Sequence, residues 1–450
     1  MSQLLKRRWT TEYEGLAKRD RRSCDYEAYV PDPLMTRVFR LDGSVAAAVV
    51  DAEAAIIKLN HDAAALLDTE ALARILLRAE AVGSSRIEGL EIGVRRLLHA
   101  EVQRVERDSE FYSSTDSSVL KGAESERELG RRFSKDVTAE EVLGNIDAMA
   151  AATALAVGEE ITVDLLLNIH RRLLSGSRLT HFGGVVRVEQ NWIGGSSYNP
   201  CAAAFVPPPP ELVLALLKDL CAFSSTDQLP AVAQAAIAHA QFETIHPFVD
   251  GNGRTGRALI HLILKRRDLA PRIVPPVSLI LATWANQYIS ALIDFRYQGS
   301  SASVSADAGA NQWIAQFAEA CVRAVADANA FENKARELQQ AWRTRTSIRK
   351  NSAADLLLRA LPGAPVLTVN SAATLIGRSF TATNIGLAQL VASGILQQVN
   401  VGRRNRAYEA PEIIAAFTDL ERQLASPQGN TKISKPERRV PHRRAAQLDA

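Results

Sequence analysis

Two helical patterns, Ala231 to Thr244 and Gly253 to Arg267, are joined by His246-Pro247-Phe248-Val249-Asp250-Gly251-Asn252, and the second opens with Gly253-Arg254-Thr255-Gly256-Arg257. This string restricts the fold more than any other stretch of the 450 residues. Proline cannot continue a helix and the glycines permit a tight turn, so the first helix must stop near the histidine and the second must start a few residues later. The two helices are thereby held as neighbours around a loop that carries a carboxylate. Glycines let backbone amides converge, and a fresh helix N-terminus adds unpaired N–H groups and the positive end of a dipole. The result is a nest for an anion, with phosphate the expected guest.

Side chains around the nest extend that chemistry. Arg254 and Arg257 fall on one helical face, and their planar forks suit further phosphate oxygens. Asp250 is placed to hold Mg²⁺ against those phosphates, because magnesium takes oxygen ligands shared between one or two carboxylates and the substrate. His246, at the loop entrance, is a base for an attacking hydroxyl near neutral pH. Rival readings fail on context. Gly251, Gly253 and Gly256 satisfy GxGxxG, but a dinucleotide fingerprint needs a preceding strand and the preceding segment is alanine-rich and helical. The string lacks the Gly-Lys-Ser/Thr ending of a P-loop. His239 and His246 stand seven apart without a third soft ligand, which makes His239 a packed helical residue. Glu243 with Asp250 as a glycosidase pair is unspecific, and a plain glycine helix cap needs no histidine, acid and two arginines together.

The string resembles the signature of the Fic family, H-x-F-x-D/E-G-N-G-R-x-x-R, with every defining position filled. That resemblance implies transfer of AMP from ATP to a Ser, Thr or Tyr hydroxyl of a protein, and of the chain itself, with pyrophosphate leaving. It implies His246 as general base, Asp250 as the Mg²⁺ ligand, and Asn252 with Gly253 at the α-phosphate. Gly251 and Gly256 complete the nucleotide loop, and Arg254 and Arg257 hold the outer phosphates. Upstream, Ser84-Ser85-Arg86-Ile87-Glu88-Gly89 resembles the family's inhibitory motif, S/T-x-x-x-E-G/N. Ser84 and Glu88 share a helix face, and an acid in a helix's last turn gains from a cationic partner elsewhere. The partner implied is Arg257, a pairing that keeps the γ-phosphate of ATP out of its productive pose.

Helical periodicity governs most of the remaining chain, so the fold expected is mainly α: a Fic-like helical bundle with a β-hairpin flap and a C-terminal winged helix. Leu72, Ile75, Leu76, Ala79 and Val82 predict an amphipathic helix that stops near Gly89. Asp108 to Glu126 predicts a long loop, Thr138 with Glu141 a capping box, and Thr162 the start of a helix carrying Leu166, Ile169 and Leu173. The hairpin is read over Val185 to Pro210, closed by four prolines and followed by a helix near Glu211. The resemblance implies that this flap docks the target, through Arg187, Trp192, Ile193 and Gly194. Tyr198 and Phe205 are read as target contacts, adenine contacts or packing, and Tyr288, Phe295 and Tyr297 as core. Ala310 to Arg345 predicts one long helix. From Ala353 to Phe417, three helices and a strand pair around a basic turn outline the winged helix. Its groove helix, Thr381 to Ser393, has no Lys or Arg, leaving Arg378 before it and Arg403, Arg404 and Arg406 in the wing.

Length alone calls for two or three packed units. The expected division is an N-terminal helical region with the inhibitory helix (1–125), a catalytic domain (126–300), a helical linker (301–350), the winged helix (351–425) and a basic disordered tail (426–450). A 47% hydrophobic and 23% charged composition excludes a mostly disordered chain, and a net charge of +3 excludes a molecule that is basic all over. Cys24, Cys201, Cys221 and Cys321 lie far apart without a CxxC pair, and the N-terminus lacks an apolar signal core, so a reducing cytoplasm is expected. Ile273 to Ile293 is interrupted by Pro275, Pro276, Asn286 and Gln287, and no membrane partner is expected. Besides the protein target, a homodimer and DNA contact stay open as partners. A nucleotide-sensing DNA-binding regulator and a de-adenylylating enzyme stay open as functions.

Overall fold

The computed structural model describes residues 1–10, 21–64, 69–115, 136–401 and 405–424. The expected tail from Ser426, the wing arginines Arg403 and Arg404, and residues 116–126 of the expected loop lie outside them. The core is the pair α7 (Ala231–Ile245) and α8 (Asn252–Arg266). Every residue of α7 except Glu243 is buried, which its run of alanines permits because small side chains let neighbours approach closely. His239 is a packed core residue, its ring nitrogen Nε2 2.7 Å from the Tyr288 hydroxyl.

The surrounding helices follow in chain order: α1 (Gly43–Ala64), α2 (Thr69–Ile87), α3 (Val94–Thr115), α4 (Val137–Thr153), α5 (Val163–Leu173) and α6 (Pro210–Ser224). After α8 come α9 (Val277–Thr283), α10 (Ala285–Asp294) and the long α11 (Val304–Arg345). Thr162 caps α5 as expected. At α4 the cap is Asp136, whose carboxylate accepts from the Ala139 N–H, rather than Thr138. Helix α3 runs through Asp108 to Thr115, where a loop was expected, since no glycine or proline interrupts it. The α11 indole Trp313 is fully buried and donates to the Ala236 carbonyl of α7 at 2.7 Å, tying the long helix to the core.

Three expectations need correction. The chain begins with an antiparallel pair, β1 (Gln3–Trp9) and β2 (Cys24–Val30), not with helix. Its stability comes from what it packs on: Trp9 meets Trp192 edge to face at 5.2 Å, and Tyr29 donates its N–H to the Val206 carbonyl. The flap over Val185 to Pro210 is an irregular loop with a single bridge, Ile193 to Phe205, not a β-hairpin. Gly194 and Gly195 both adopt positive φ, and a Cβ on Gly195 would lie 2.5 Å from the Ala202 carbonyl, so the ladder breaks after one pair. Finally, Cys24 of β2 and Cys201 of the flap form a disulfide, while Cys221 and Cys321 are free and buried. Sequence spacing concealed the pair because β2 and the flap meet only in the folded chain. Among the described residues no helix is long and apolar enough to cross a membrane.

The C-terminal segment runs α12 (Ala353–Ala360), β3 (Val366–Thr368), α13 (Val369–Ile376), α14 (Phe380–Ala392), β4 (Gln397–Val401), β5 (Asn405–Glu409) and α15 (Pro411–Leu424). The sheet order is β3-β5-β4, antiparallel throughout. Helix α14 exposes Phe380 and Ile385. The module docks on α2 and α3: Arg78 donates to the Gly363 carbonyl at 2.8 Å, and Arg95 grips Glu409 through two bonds of 2.9 and 2.7 Å.

Candidate active site

The loop between α7 and α8 is held closed by its own residues and by three neighbours, His170, Arg187 and Asn191, the last donating to the carbonyls of His246 and Phe248. His246 caps α7 in the left-handed region (φ 49°), its N–H on the Phe242 carbonyl at 2.9 Å, and Pro247 ends the helix. Asn252 spans the turn, its Oδ1 accepting from the Phe248 N–H and its Nδ2 donating to the Phe248 carbonyl, both at 2.8 Å. The Asn252 side chain is therefore spent on the loop, and what it offers an anion is its backbone N–H at the start of α8. Gly251, at φ 75°, precedes that start. His170 of α5 stacks on Phe248 at 3.7 Å and takes the Gly184 N–H on Nδ1, which leaves its Nε2–H to donate to the Asp250 carbonyl at 2.9 Å.

At the mouth, Arg254 is buried and bonds Asp250 through one nitrogen at 3.0 Å. Its Nε and Nη1 are buried without a hydrogen-bond partner. Unsatisfied buried donors are costly, and two on one guanidinium beside a helix N-terminus are the geometry an oxyanion would complete. The Asp250 side chain is 46% exposed. One accessible carboxylate fits a magnesium that draws its other ligands from phosphates and water, and among the described residues no set of three metal-ligating side chains exists. Burial holds the half-buried His246 imidazole down to about 4, so near neutral pH it is uncharged and ready to accept a proton.

The pairing expected of Glu88 is present. Arg257, 1% exposed, donates from Nε to the Ser84 hydroxyl at 2.9 Å and from Nη2 to the Ser84 carbonyl at 2.9 Å and to Glu88 Oε1 at 2.7 Å. Burial pushes the Glu88 carboxyl up, but the charge and hydrogen bond of Arg257, with Arg254 nearby, outweigh it and leave the group below its usual range. The Glu88 carboxylate lies against Gly253, where any Cβ would collide with it. Glu88 thus sits at the first turn of α8, where an anionic ligand would. Gly256 is needed as glycine too: a Cβ there would lie 2.8 Å from Glu243 Oε1.

Flap residues named from sequence take a different part. Arg187 is buried and faces inward, donating to the carbonyls of His246 (2.9 Å), Glu189 (3.0 Å) and Pro208 (2.6 Å). It braces the loop that follows α7. Trp192 packs on Trp9 and donates to the Ser196 carbonyl, Gly194 turns the chain, and Phe205 lies under the Arg296 guanidinium at 3.7 Å. Of the four, Ile193 alone is open to solvent as a large apolar side chain. Tyr288, Phe295 and Tyr297 are core, as expected. Sequence reading passed over His170, whose place on the helix opened by Thr162 gave no hint that it reaches Asp250.

The helical core thus gathers an imidazole and two guanidinium groups around the N-terminus of α8. Residues 160–264 match the model described as Fic/DOC family and residues 46–154 that described as Fic/DOC family N-terminal. Over these two stretches the chain is similar to the Fic/DOC family. It is similar to protein adenylyltransferase fic-1 of Caenorhabditis elegans, 34% identical over 141 residues that make up 31% of this chain and 26% of that one. Protein adenylyltransferase Fic of Drosophila willistoni is 37% identical over 139 residues, 30% of this chain and 26% of its own. These matches span about a quarter of the relatives' length. The crystal structure of a Fic family protein from Desulfovibrio desulfuricans aligns with a TM-score of 0.46 at 18% identity, covering 85% of this chain and 98% of that one.

Proposed function

We propose that the chain is a protein adenylyltransferase held in check by Glu88. The observation that carries the reading is Arg254, buried beside the start of α8 with two donors unpaired, one turn before an Arg257 already occupied by a carboxylate. In this reading the N–H groups of Asn252 and Gly253 meet the α-phosphate of ATP, and Arg254 and Arg257 take the outer phosphates. His246 accepts the proton of a Ser, Thr or Tyr hydroxyl as its oxygen attacks the α-phosphorus. The bond to the β-phosphate breaks and pyrophosphate leaves, giving a phosphodiester of AMP. Magnesium bound at Asp250 would supply charge neutralisation to the phosphates. Most of the acceleration then rests on positioning and charge stabilisation. Glu88 opposes it by holding Arg257 away from the γ-phosphate.

Mass spectrometry of the chain and of a lysate after incubation with ATP and Mg²⁺ tests this. The Glu88→Gly chain should gain adenylate adducts well above the native chain, and His246→Ala in the same background should abolish them. An adduct that survives loss of His246 would refute its assigned role. Release of AMP from pre-modified protein by the native chain would instead favour removal over transfer.

A further inference from the structure

Helices α2 and α8 meet through a ladder whose steps rise by four on one helix and fall by four on the other. Glu88 lies on Gly253, and Ser84 holds Arg257. One turn earlier on α2 and one turn later on α8, Glu80 bonds His261 Nε2 at 2.7 Å. This third step is the most deeply buried, with Glu80 0% and His261 1% exposed. It is also tied to a third helix: the Glu80 carboxylate accepts the Ser278 N–H at 2.7 Å and the Ser278 hydroxyl, at the start of α9. Beside it the two backbones close up, for a Cβ on Gly83 would lie 2.6 Å from the Leu279 nitrogen. A slide of α2 along α8 is therefore blocked by hydrogen bonds that water cannot replace.

We propose that Glu80, through His261 and Ser278, is the positioning residue that fixes the register of α2 on α8 and so delivers the Glu88 carboxylate to Gly253 and Arg257. Buried polar groups of this kind add little net stability, but every misaligned arrangement leaves them unpaired, so they select one register. The proposal rests on the reading of Glu88 as the inhibitory carboxylate. Glu80 touches neither the loop of His246 nor the donors of Arg254. Loss of the third step lets the last turn of α2 leave the site without altering the site itself.

The test is initial rates of auto-modification by ATP and Mg²⁺ in the full chain, for Glu80→Ala with Glu88 present and in the Glu88→Gly background. With Glu88 present, Glu80→Ala should raise the rate about fivefold or more. In the Glu88→Gly background it should change the rate by less than about twofold, because a residue acting only through Glu88 has nothing left to act on. Equal losses in both backgrounds would make Glu80 a stability residue alone and overturn the proposal, as would a folded Glu80→Ala chain as silent as the native one. If Glu80→Ala fails to fold, Glu80→Gln keeps the volume and is read in the same two backgrounds, with a smaller rise expected and no rise overturning the claim. A Glu88→Gly chain that itself gains no adducts would defeat the underlying function, an outcome distinct from a defect confined to Glu80.

Discussion

In the proposed transfer the His246 ring accepts a proton only while uncharged, and burial secures that over a wider range than free imidazole allows. Its pKa is lowered to about 4, so the uncharged fraction is complete well above that value and is lost as pH falls through it. In the Glu88→Gly chain the initial rate of auto-modification should hold through the weakly acid range and fall near about 4, where an ordinary imidazole would halve it near about 6.5. A half-maximum at the ordinary value would show that the ring is open to water. Arg187 offers a second measurement. Lysine cannot reach three carbonyls with one rigid fork, so Arg187→Lys should lower kcat roughly tenfold with little change in KM for ATP, since the brace acts on the His246 carbonyl. His246, Arg257 and Glu88 were legible in the sequence because each stands at a fixed spacing in a short motif whose glycines mark a turn or a helix end. The tasks of Arg187 and His170 were not, since their partners are backbone carbonyls far along the chain and no side-chain pattern records such a bond.

Elements were readable where a cap or a breaker marks them. Thr162 opens α5, and Pro210 starts α6 behind its proline run. The flap was not, because alternating apolar residues fit a ladder equally well whether or not two adjacent glycines turn the backbone out of it. Nor was the β1 and β2 pair, which buries little on its own and depends on Trp192, Phe205 and Val206. Close packing of α2 gives an element-level prediction. Gly83→Ala places a methyl group 2.6 Å from backbone of α9, and overpacking at such a site costs about 1–3 kcal/mol. Thermal unfolding should show a lower Tm, and adduct formation should rise as α2 is pushed away from the catalytic loop.

Across the whole molecule, the C-terminal module leans on α2, whose C-terminal end leads straight into Glu88. Arg86, two residues before it, faces Glu421 of α15 at 3.7 Å. Burial raises the Glu421 carboxyl to about 7 despite that arginine. A carboxyl whose folded value lies above its unfolded one favours the protonated folded state, so its share of stability is complete at low pH and fades as pH rises through about 7. Glu421→Gln, uncharged at every pH, should therefore gain Tm over the native chain at pH 8 and lose that advantage toward pH 5, in melts compared at fixed salt. A gain independent of pH would deny the burial of the charge.

The bond between Cys24 and Cys201 closes a covalent ring across 177 residues that contains α1 to α5. One backbone cut anywhere inside the ring yields two pieces by sequence yet one by connectivity. A nicked chain would thus migrate as a single band without thiol and as two with it, and the strands at the amino terminus would stay fastened to the flap after cleavage.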